Sequence, residues 1–169
     1  MYKKWMVLSL SLALVGLCHA QGTLFSPTIG TTGSEASVYH SGNGGSTNAG
    51  GEIGGYSSQT VYSGDTVSVA FTLNGSITIT PAFQGGGSLE VQYSINNGST
   101  WTTGVAFGDY GSTISYTNQP AGFSLPAAAV NSLGNLGNLQ FRIYVIAHGS
   151  PNGSCQSTGT ITGGTVTYN

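Results

Sequence analysis

Apolar and polar residues alternate with a period of two along most of the chain after Thr60. In TVSVAFTL (66–73) the apolar side chains occupy every second position, and SITIT (76–80) repeats the pattern. Such alternation is typical of β-strands that bury one face in a core and turn the other to water. Asn74-Gly75 lies between the two runs. Because this pair favours tight turns, the sequence predicts a hairpin there.

The same alternation continues to the end of the chain. The further predicted strands are SLEVQYSI (88–95), TWTTGVAF (100–107), STISYT (112–117), LQFRIYVIA (139–147) and TGTITGGTVTY (158–168). Short, regularly spaced strands separated by turn residues are typical of a sandwich or barrel. LPAAAVNSL (125–133) predicts a short helix, with Pro126 near its start and Gly134 at its end. We therefore predict an all-β protein, an immunoglobulin-like or jelly-roll β-sandwich.

The first third of the 169-residue chain has a different composition from the rest. Residues 1–20 combine two lysines, an apolar run and a small-residue exit at Ala20, which predicts a signal peptide cleaved before Gln21. The apolar run is shorter than the roughly 20 residues of a membrane span. Residues 21–57 are rich in Gly, Ser, Thr and Asn and predict a flexible N-terminal arm with two extended segments, TLFSPTI and EASVYH. The β-sandwich domain is then expected over 58–169.

The chain expected after cleavage carries few charges. Arg142 is its one basic residue, set against five carboxylates, so its formal charge is −4 with histidine neutral. Nucleic-acid binding depends on Lys and Arg neutralising phosphates, and anionic membranes attract the same residues. The sequence therefore predicts neither nucleic acid nor membrane as a partner. Low charge also reduces repulsion between copies and favours association.

Candidate catalytic groups lack a recognisable arrangement. A glycoside hydrolase needs two carboxylates about 5–10 Å apart, and Glu90 is expected on a solvent face because it alternates with apolar residues. Asp65 and Asp109 lie beside glycines, where aspartate commonly accepts from backbone amides. His40 and His148 have no partner at metal-ligand spacing. We expect a protein that is not an enzyme and has no cofactor; a calcium site in the loops stays open.

Two side chains outside these groups carry specific expectations. Cys155 is alone after cleavage, which leaves a buried thiol, an intermolecular bridge or a reactive group as its alternatives. Arg142 alternates with Phe141 and Ile143, so it is expected on the opposite face together with Tyr144. An unpaired guanidinium is costly when it is buried. We therefore expect Arg142 to pair with a carboxylate or to stack on an aromatic ring.

SINNGSTW (94–101) resembles the Asp-box, Ser-x-Asp-x-Gly-x-Thr-Trp, with asparagine where the motif usually has aspartate. The resemblance covers eight residues and implies a structural β-hairpin turn rather than a catalytic site. The residue types fit that role, because Asn can accept from nearby amides and Gly can adopt positive φ. The predicted turn residues are Ser94, Asn96, Gly98, Thr100 and Trp101.

Three Asn-Gly-Ser sequons begin at Asn74, Asn97 and Asn152, each at a predicted turn. Such sites accept N-linked glycans when they lie on surface loops of secreted proteins. Asn-Gly is also the favoured pair of tight turns, which is the alternative explanation.

The C-terminal strand GTVTYN loosely resembles the end of donor-strand-exchanged pilins, although the paired cysteines of those pilins are missing here. The resemblance implies that an N-terminal arm adds a strand to a neighbouring subunit. The residues expected to contribute to assembly are Leu24, Phe25, Ile29, Val38, Tyr39 and Tyr168.

Two functions follow as expectations. The first is a secreted structural subunit that assembles with copies of itself into an extracellular filament or surface matrix. The alternative is a carbohydrate-binding module or adhesin that presents Tyr and Trp to glycans, because exposed aromatic rings can stack on sugars. The opposing explanation for those aromatics is that they fill the core and cross-strand pairs.

Overall fold

The computed structural model describes Gly22–Leu24 by its backbone and residues 33–169 with their side chains, except the side chain of Asp109. The expected signal peptide, 1–20, lies outside these residues. The elements, in chain order, are β1 Gly22–Leu24, β2 Glu35–Ser41, β3 Gly44–Ala49, β4 Val67–Thr80, β5 Gly85–Ser94, β6 Thr102–Tyr110, β7 Ile114–Ser124, α1 Ala127–Leu133, a 3₁₀ turn at Leu136–Asn138, β8 Gln140–Gly149 and β9 Ser154–Tyr168.

The strands form two antiparallel sheets packed face to face, which confirms the predicted all-β sandwich. Sheet A has the order β1-β9-β4-β7, with β2 also paired to β9, and sheet B has the order β3-β8-β5-β6. Strands β2 to β9 therefore pair as β2 with β9, β3 with β8, β4 with β7 and β5 with β6. A long hairpin folded over on itself gives this pairing. Of the two expected sandwiches, the topology is that of the jelly roll.

The core lies between the sheets and is filled by the alternating residues that the sequence pattern identified. Phe71 of sheet A meets Phe141 of sheet B edge to face, with ring centroids 5.2 Å apart. Each fully buried side chain of this size stabilises the fold by about 1.5–3 kcal/mol. The helix α1 adds Val130 and Leu133 to the same core. The inner faces therefore fix which residues of each strand are left to point outward.

The structure corrects the predicted arm over residues 35–49. This segment forms β2 and β3, and it pairs with β9 and β8 of its own chain. EASVYH is extended, as expected, but Ala36 is buried in the core and Val38 packs against it. The glycine-rich segment can join the sandwich because backbone ladder bonds, not side chains, hold β3 to β8. Phe25 and Ile29 lie outside the described residues.

The hairpin predicted at Asn74-Gly75 is also wrong. Both residues lie inside the continuous strand β4, which runs from Val67 to Thr80. Neither adopts positive φ, which a two-residue hairpin of the favoured type requires. The partner strands instead change register here: β7 between Gln119 and Tyr116, and β9 between Gly163 and Ile161.

Asn74 connects these two irregularities. Its Oδ1 accepts from the backbone N–H of Asn118 at 2.8 Å, and its Nδ2 donates to Thr162 Oγ1 at 3.1 Å. A bulge leaves an extra residue outside the ladder of backbone hydrogen bonds. The Asn74 amide gives a hydrogen-bond partner to Asn118 of β7 and to Thr162 of β9, the residues at these two irregularities. Asn74-Gly75, which favours a turn in the sequence, therefore lies inside a long strand, where the Asn74 side chain hydrogen-bonds to both partner strands.

Tyr168 occupies the core of its own chain, which corrects its assignment to an assembly surface. Strand β9 lies between β4 and β2 within sheet A, and Tyr168 is 1% exposed. Its hydroxyl donates to Asp65 Oδ2, and Asp65 also accepts from the Tyr62 backbone N–H. Asp65 thus satisfies a backbone amide, as the sequence predicted, and anchors the final strand.

Candidate functional site

Arg142 lies on the outer face of sheet B, the face turned away from the core. Strand β8 buries Phe141, Ile143, Val145 and Ala147 and leaves Arg142, Tyr144, Ile146 and His148 on the outside. The guanidinium carbon lies 4.1 Å from the centroid of the Trp101 ring and 5.5 Å from that of Tyr144. The expected stacking of Arg142 on an aromatic ring is therefore confirmed. Cation–π contacts of this kind are favourable by about 0.5–2 kcal/mol.

A chain of hydrogen bonds on strands β5 and β6 continues from the arginine. Arg142 Nε donates to Gln92 Oε1 at 3.1 Å, and Gln92 Nε2 donates to Glu90 Oε2 at 3.0 Å. The same carboxylate oxygen accepts from Thr103 Oγ1 at 2.7 Å. Glu90 thus lies on the outer face, as its alternation predicted. We call Glu90, Gln92, Trp101, Arg142 and Tyr144 the arginine cluster.

Two opposing effects act on the guanidinium. Partial burial lowers the pKa of Arg142 below its ordinary value, and the charges of Tyr144 and Glu52 raise the pKa in part. An arginine remains protonated at neutral pH even so. Within the part of the chain that the structure describes, the guanidinium hydrogen-bonds through Nε to Gln92, and its two Nη groups make no hydrogen bond to a described residue.

The turn at 94–101 holds Trp101 in the cluster. Ser94 Oγ accepts from the Gly98 backbone N–H at 2.9 Å and donates to Asn96 Oδ1 at 2.9 Å. Asn96 Oδ1 also accepts from the Thr100 backbone N–H at 2.9 Å, and Asn96 Nδ2 donates to Thr100 Oγ1 at 2.8 Å. The five residues predicted from the sequence therefore meet at a single turn between β5 and β6.

Gly98 lets this turn approach strand β8. Its φ is +78°, and a Cβ there would lie 2.8 Å from both Gln140 Oε1 and Glu52 Oε1. Asn97 has φ +55°, and its Oδ1 accepts from Gln140 Nε2 at 3.1 Å. Because β8 carries Arg142 two residues after Gln140, the close contact fixes the indole relative to the guanidinium.

The predicted sequons occupy two kinds of position. Asn97 and Asn152 lie in exposed turns, as expected. Asn74 lies within a strand, and its Nδ2 is engaged with Thr162. Asn97 and Asn152 therefore keep the exposed turn position that the sequence predicts, whereas Asn74 does not.

Three of the residues expected to mediate assembly, Val38, Tyr39 and Tyr168, are described with their side chains, and they do not share one surface. Tyr39 is 60% exposed on β2, Val38 is half-buried against the core, and Tyr168 is inside it. Leu24 is described by its backbone, which pairs with Val166 of β9. The three described side chains therefore do not form a shared docking patch.

The remaining candidate groups are separate from the cluster. Cys155 is a buried free thiol whose Sγ lies 3.8 Å from Ser157 Oγ, as the first of its three alternatives predicted. No three His, Cys, Asp or Glu side chains lie close enough to hold a metal ion among the residues described. Over the same described residues, no helix has the length and apolar character of a membrane span.

The sequence pattern predicts the parts of the arginine cluster separately but not their proximity. It predicts that Arg142 stacks on an aromatic residue, that Trp101 belongs to a turn and that Glu90 faces solvent, whereas no local signal singles out Gln92. The pairing that joins them is Gln92 of β5 opposite Arg142 of β8, and strand order is not contained in the alternation of either strand.

Comparisons with known proteins give little similarity. No family model matches the chain, and no curated protein matches it. One solved structure, titled "Structure of infectious bursal disease virus Gx strain", is similar to it at 10% sequence identity with a TM-score of 0.28. The alignment covers 88% of this chain and 40% of that one. A match at this level carries no argument, and the function is argued from the site alone.

Proposed function

We propose that this protein is a secreted, non-catalytic module that binds neutral carbohydrate through the outer face of sheet B. The observation that carries the proposal is the arginine cluster, in which a guanidinium lies against Trp101 and Tyr144 within a fixed chain of hydrogen bonds. The signal-like segment at 1–20 supports the extracellular location.

The chemistry of the cluster suits a sugar. Aromatic rings offer apolar faces to the C–H side of a pyranose, and the Nη donors of Arg142 and the carboxylate of Glu90 match its hydroxyls. Glu90 and Gln92 are held by their neighbours, so little side-chain freedom is lost on binding. Two carboxylates interact with Arg142. Glu90 is linked to it by hydrogen bonds through Gln92, and the negative charge of Glu52 raises its pKa. A neutral ligand is therefore favoured over an anionic one.

A glycan array followed by titration with the sugars that bind tests the proposal. We expect Arg142→Lys to lower affinity about tenfold, because lysine keeps the charge but loses the planar stack and the paired donors. Tyr39→Ala removes a ring that is 60% exposed on sheet A and should leave affinity unchanged. Equal affinity of the wild type and Arg142→Lys, with both folded, would contradict the role of the cluster.

A second candidate function, assembly with copies of itself, is favoured by the edge of sheet B. Strand β6 is an edge strand of the described sheet, nine residues long, and it contains neither proline nor lysine. The edge strand β7 of sheet A, in contrast, carries Pro120 and the positive-φ Asn118. Prolines protect edges from pairing with other chains, and β6 has none, although its register with β5 shifts between Thr103 and Val105.

Under this second proposal, β-strand addition at β6 links subunits into a filament or surface matrix. We expect Ala106→Lys to reduce oligomers seen by analytical ultracentrifugation and negative-stain microscopy, because like charges would face each other across paired edges. Ser115→Lys, on the protected edge strand β7, is the matched control. A protein that is monomeric at every concentration tested would reject this second function.

A further inference from the structure

Strands β6 and β7 lie at one side of the sandwich, each as the last strand of its sheet in the part of the chain that the structure describes. Their inward side chains pack against the core but are only half-buried: Val105, Phe107, Ile114, Tyr116 and Phe123. The rings of Phe107 and Tyr116, for example, have centroids 5.6 Å apart. We call these five side chains the apolar seam.

The backbone of β6 presents hydrogen-bonding groups beside this seam. The ladder between β5 and β6 continues into the bond from the Gly111 N–H to the Gly85 carbonyl, which is 2.9 Å long. Hydrogen-bonded and non-hydrogen-bonded pairs alternate in an antiparallel ladder, so the N–H and C=O groups of Ala106 and Gly108 point away from β5. Both residues are exposed, and the register is regular over 105–110. This edge can therefore accept a further strand.

The apolar pattern of β6 is complementary to itself. When two copies of β6 pair antiparallel about a two-fold axis at Ala106, Val105 of each copy lies opposite Phe107 of the other on the inward face. The outward-pointing backbone groups of Ala106 then meet their own counterparts. An axis at Phe107 would place Val105 opposite Asp109, and an axis at Val105 would place Phe107 opposite Thr103. The axis at Ala106 is therefore the one that pairs apolar residues with apolar residues.

Charge also favours a second copy as the occupant of this edge. Residues 102–108 contain no charged side chain, so a like strand meets no like charge there. Two-fold pairing keeps Asp109 of the two copies at opposite ends of the paired strands. The edge strand β7 offers no such match, because Pro120 lacks an N–H and the register of β7 shifts near Asn118.

We infer that two copies of this chain pair through β6 about a two-fold axis at Ala106, which joins their B sheets into one and sets Val105 and Phe107 of each copy beside the apolar seam of the other. A two-fold contact uses the same patch on both copies and closes on itself. The inference rests on the second proposed function and narrows it, since the β6 contact produces a pair of copies from which any larger assembly is built. Strands of one sheet share its two faces, so both arginine clusters lie on the same side of the pair.

Disulfide trapping tests the position of the axis. Opposite residues of a hydrogen-bonded antiparallel pair have Cα atoms about 5.5 Å apart, within the range of about 4.4–6.8 Å that a disulfide spans. We expect Ala106→Cys to form a linked dimer in oxidised glutathione at least about tenfold faster than Ser115→Cys, at an exposed position of β7, because paired thiols have a high effective concentration. The wild type gives the background, since its Cys155 is buried. Ala106→Ser should match the wild type in analytical ultracentrifugation, with both forming dimers as concentration rises.

Hydrogen exchange gives a measurement that needs no substitution. In the wild type, the amides of Ala106 and Gly108 should exchange more slowly at concentrations where dimers sediment than at those where monomers do, because they gain partners in the second copy. The amides of Ser115 and Thr117 on β7 should exchange equally at both concentrations. Exchange at Ala106 and Gly108 that does not change with dimer formation would overturn the inference.

The other outcomes separate the inference from the function on which it rests. Oligomers that Ala106→Cys does not trap overturn the two-fold pairing and leave strand addition standing. A protein that is monomeric at every concentration, with no trapping, overturns both. Equal trapping of Ala106→Cys and Ser115→Cys shows random collision, which also overturns the pairing. Melting temperatures within about 2 °C of the wild type confirm that the variants are folded, as expected for exposed positions.

Discussion

Asn96 occupies the position where the Asp-box usually has aspartate, and its amide does what a carboxylate does not. Its Oδ1 accepts from the Thr100 N–H while its Nδ2 donates to the Thr100 hydroxyl. We expect Asn96→Ala to lower the free energy of unfolding by about 1–2 kcal/mol, because these bonds and the one from Ser94 are lost together. Ser99→Ala in the same turn should change it by less than about 0.5 kcal/mol. Chemical denaturation measures both, and equal stability of the two variants would contradict the structural role of the amide.

At Tyr56 we expect a substitution that raises stability, in contrast to Asn96→Ala. Its ring packs edge to face on Phe141 at 6.3 Å, but its buried hydroxyl has no hydrogen-bond partner among the described residues. An unsatisfied buried polar group costs about 1–3 kcal/mol. We expect Tyr56→Phe to keep the packing, remove this cost and raise the melting temperature. Tyr93→Phe serves as the comparison, because it removes the hydroxyl of a second buried tyrosine, which is 6% exposed. A lower melting temperature for Tyr56→Phe would show that the hydroxyl has a partner.

At the scale of the element, strand β4 shows why a strong local signal failed. Asn74-Gly75 favours a turn, but the apolar residues of the strand keep the same phase across it, from Leu73 through Gly75 to Ile77. A two-residue hairpin would pair Leu73 with Ser76 and turn Ile77 to the other face. The unbroken phase therefore indicates one strand, and it is a sequence signal that outweighs the turn pair.

Gly75 is needed in this strand because of what lies beside it. A Cβ would be 2.3 Å from the backbone oxygen of Thr158 and 2.7 Å from Leu89 Cδ1. We expect Gly75→Ala to destabilise the protein by more than about 3 kcal/mol or to prevent folding, because backbone on β9 must shift. Gly163→Ala, where a Cβ would meet no atom within 4 Å, should cost less than about 1 kcal/mol. Similar denaturation midpoints for both variants would show that β9 can move aside.

Local patterns predict most strands, the extended EASVYH segment of β2 and the short helix, but neither β3 nor the pairing of β2 and β3 with their own chain. Those strands contain few apolar residues, and Gly44–Ala49 is held to β8 by its backbone. Its glycines are informative only once the partner is known, since Gly45 leaves room for the His148 ring. The same limit applies to the candidate site. Alternation gave the outward direction of Glu90 and Arg142, whereas their proximity depends on the order of strands in sheet B.

Across the whole molecule, the jelly-roll topology fixes the C-terminal strand β9 by sheet pairing and core packing, although the chain has few charges. Strand β9 lies between β4 and β2, and Tyr168 closes the core with its hydroxyl on Asp65. The segment expected to be a free arm covers one side of β9 over Ser154–Thr160. Removal of residues 21–41 should therefore expose a strand edge and promote aggregation.

The stability of the protein should be nearly independent of pH from about pH 5 to 9 and should fall above pH 10. Burial raises the pKa of Tyr168 to about 12, with a further contribution from its hydrogen bond to Asp65, and burial also raises that of Tyr56. Between the ordinary tyrosine pKa of about 10 and these raised values, the folded state binds more protons than the unfolded state, so the free energy of unfolding decreases as pH rises.

Melting temperatures measured from pH 5 to 11.5 test this. Tyr168→Phe should reduce the alkaline slope although it lowers stability at pH 7, whereas Tyr39→Phe, at a ring that is 60% exposed, should leave the slope unchanged. A steep dependence between pH 5 and 9 would instead reveal a carboxylate or histidine whose protonation is coupled to folding, and with it a titratable site other than the arginine cluster.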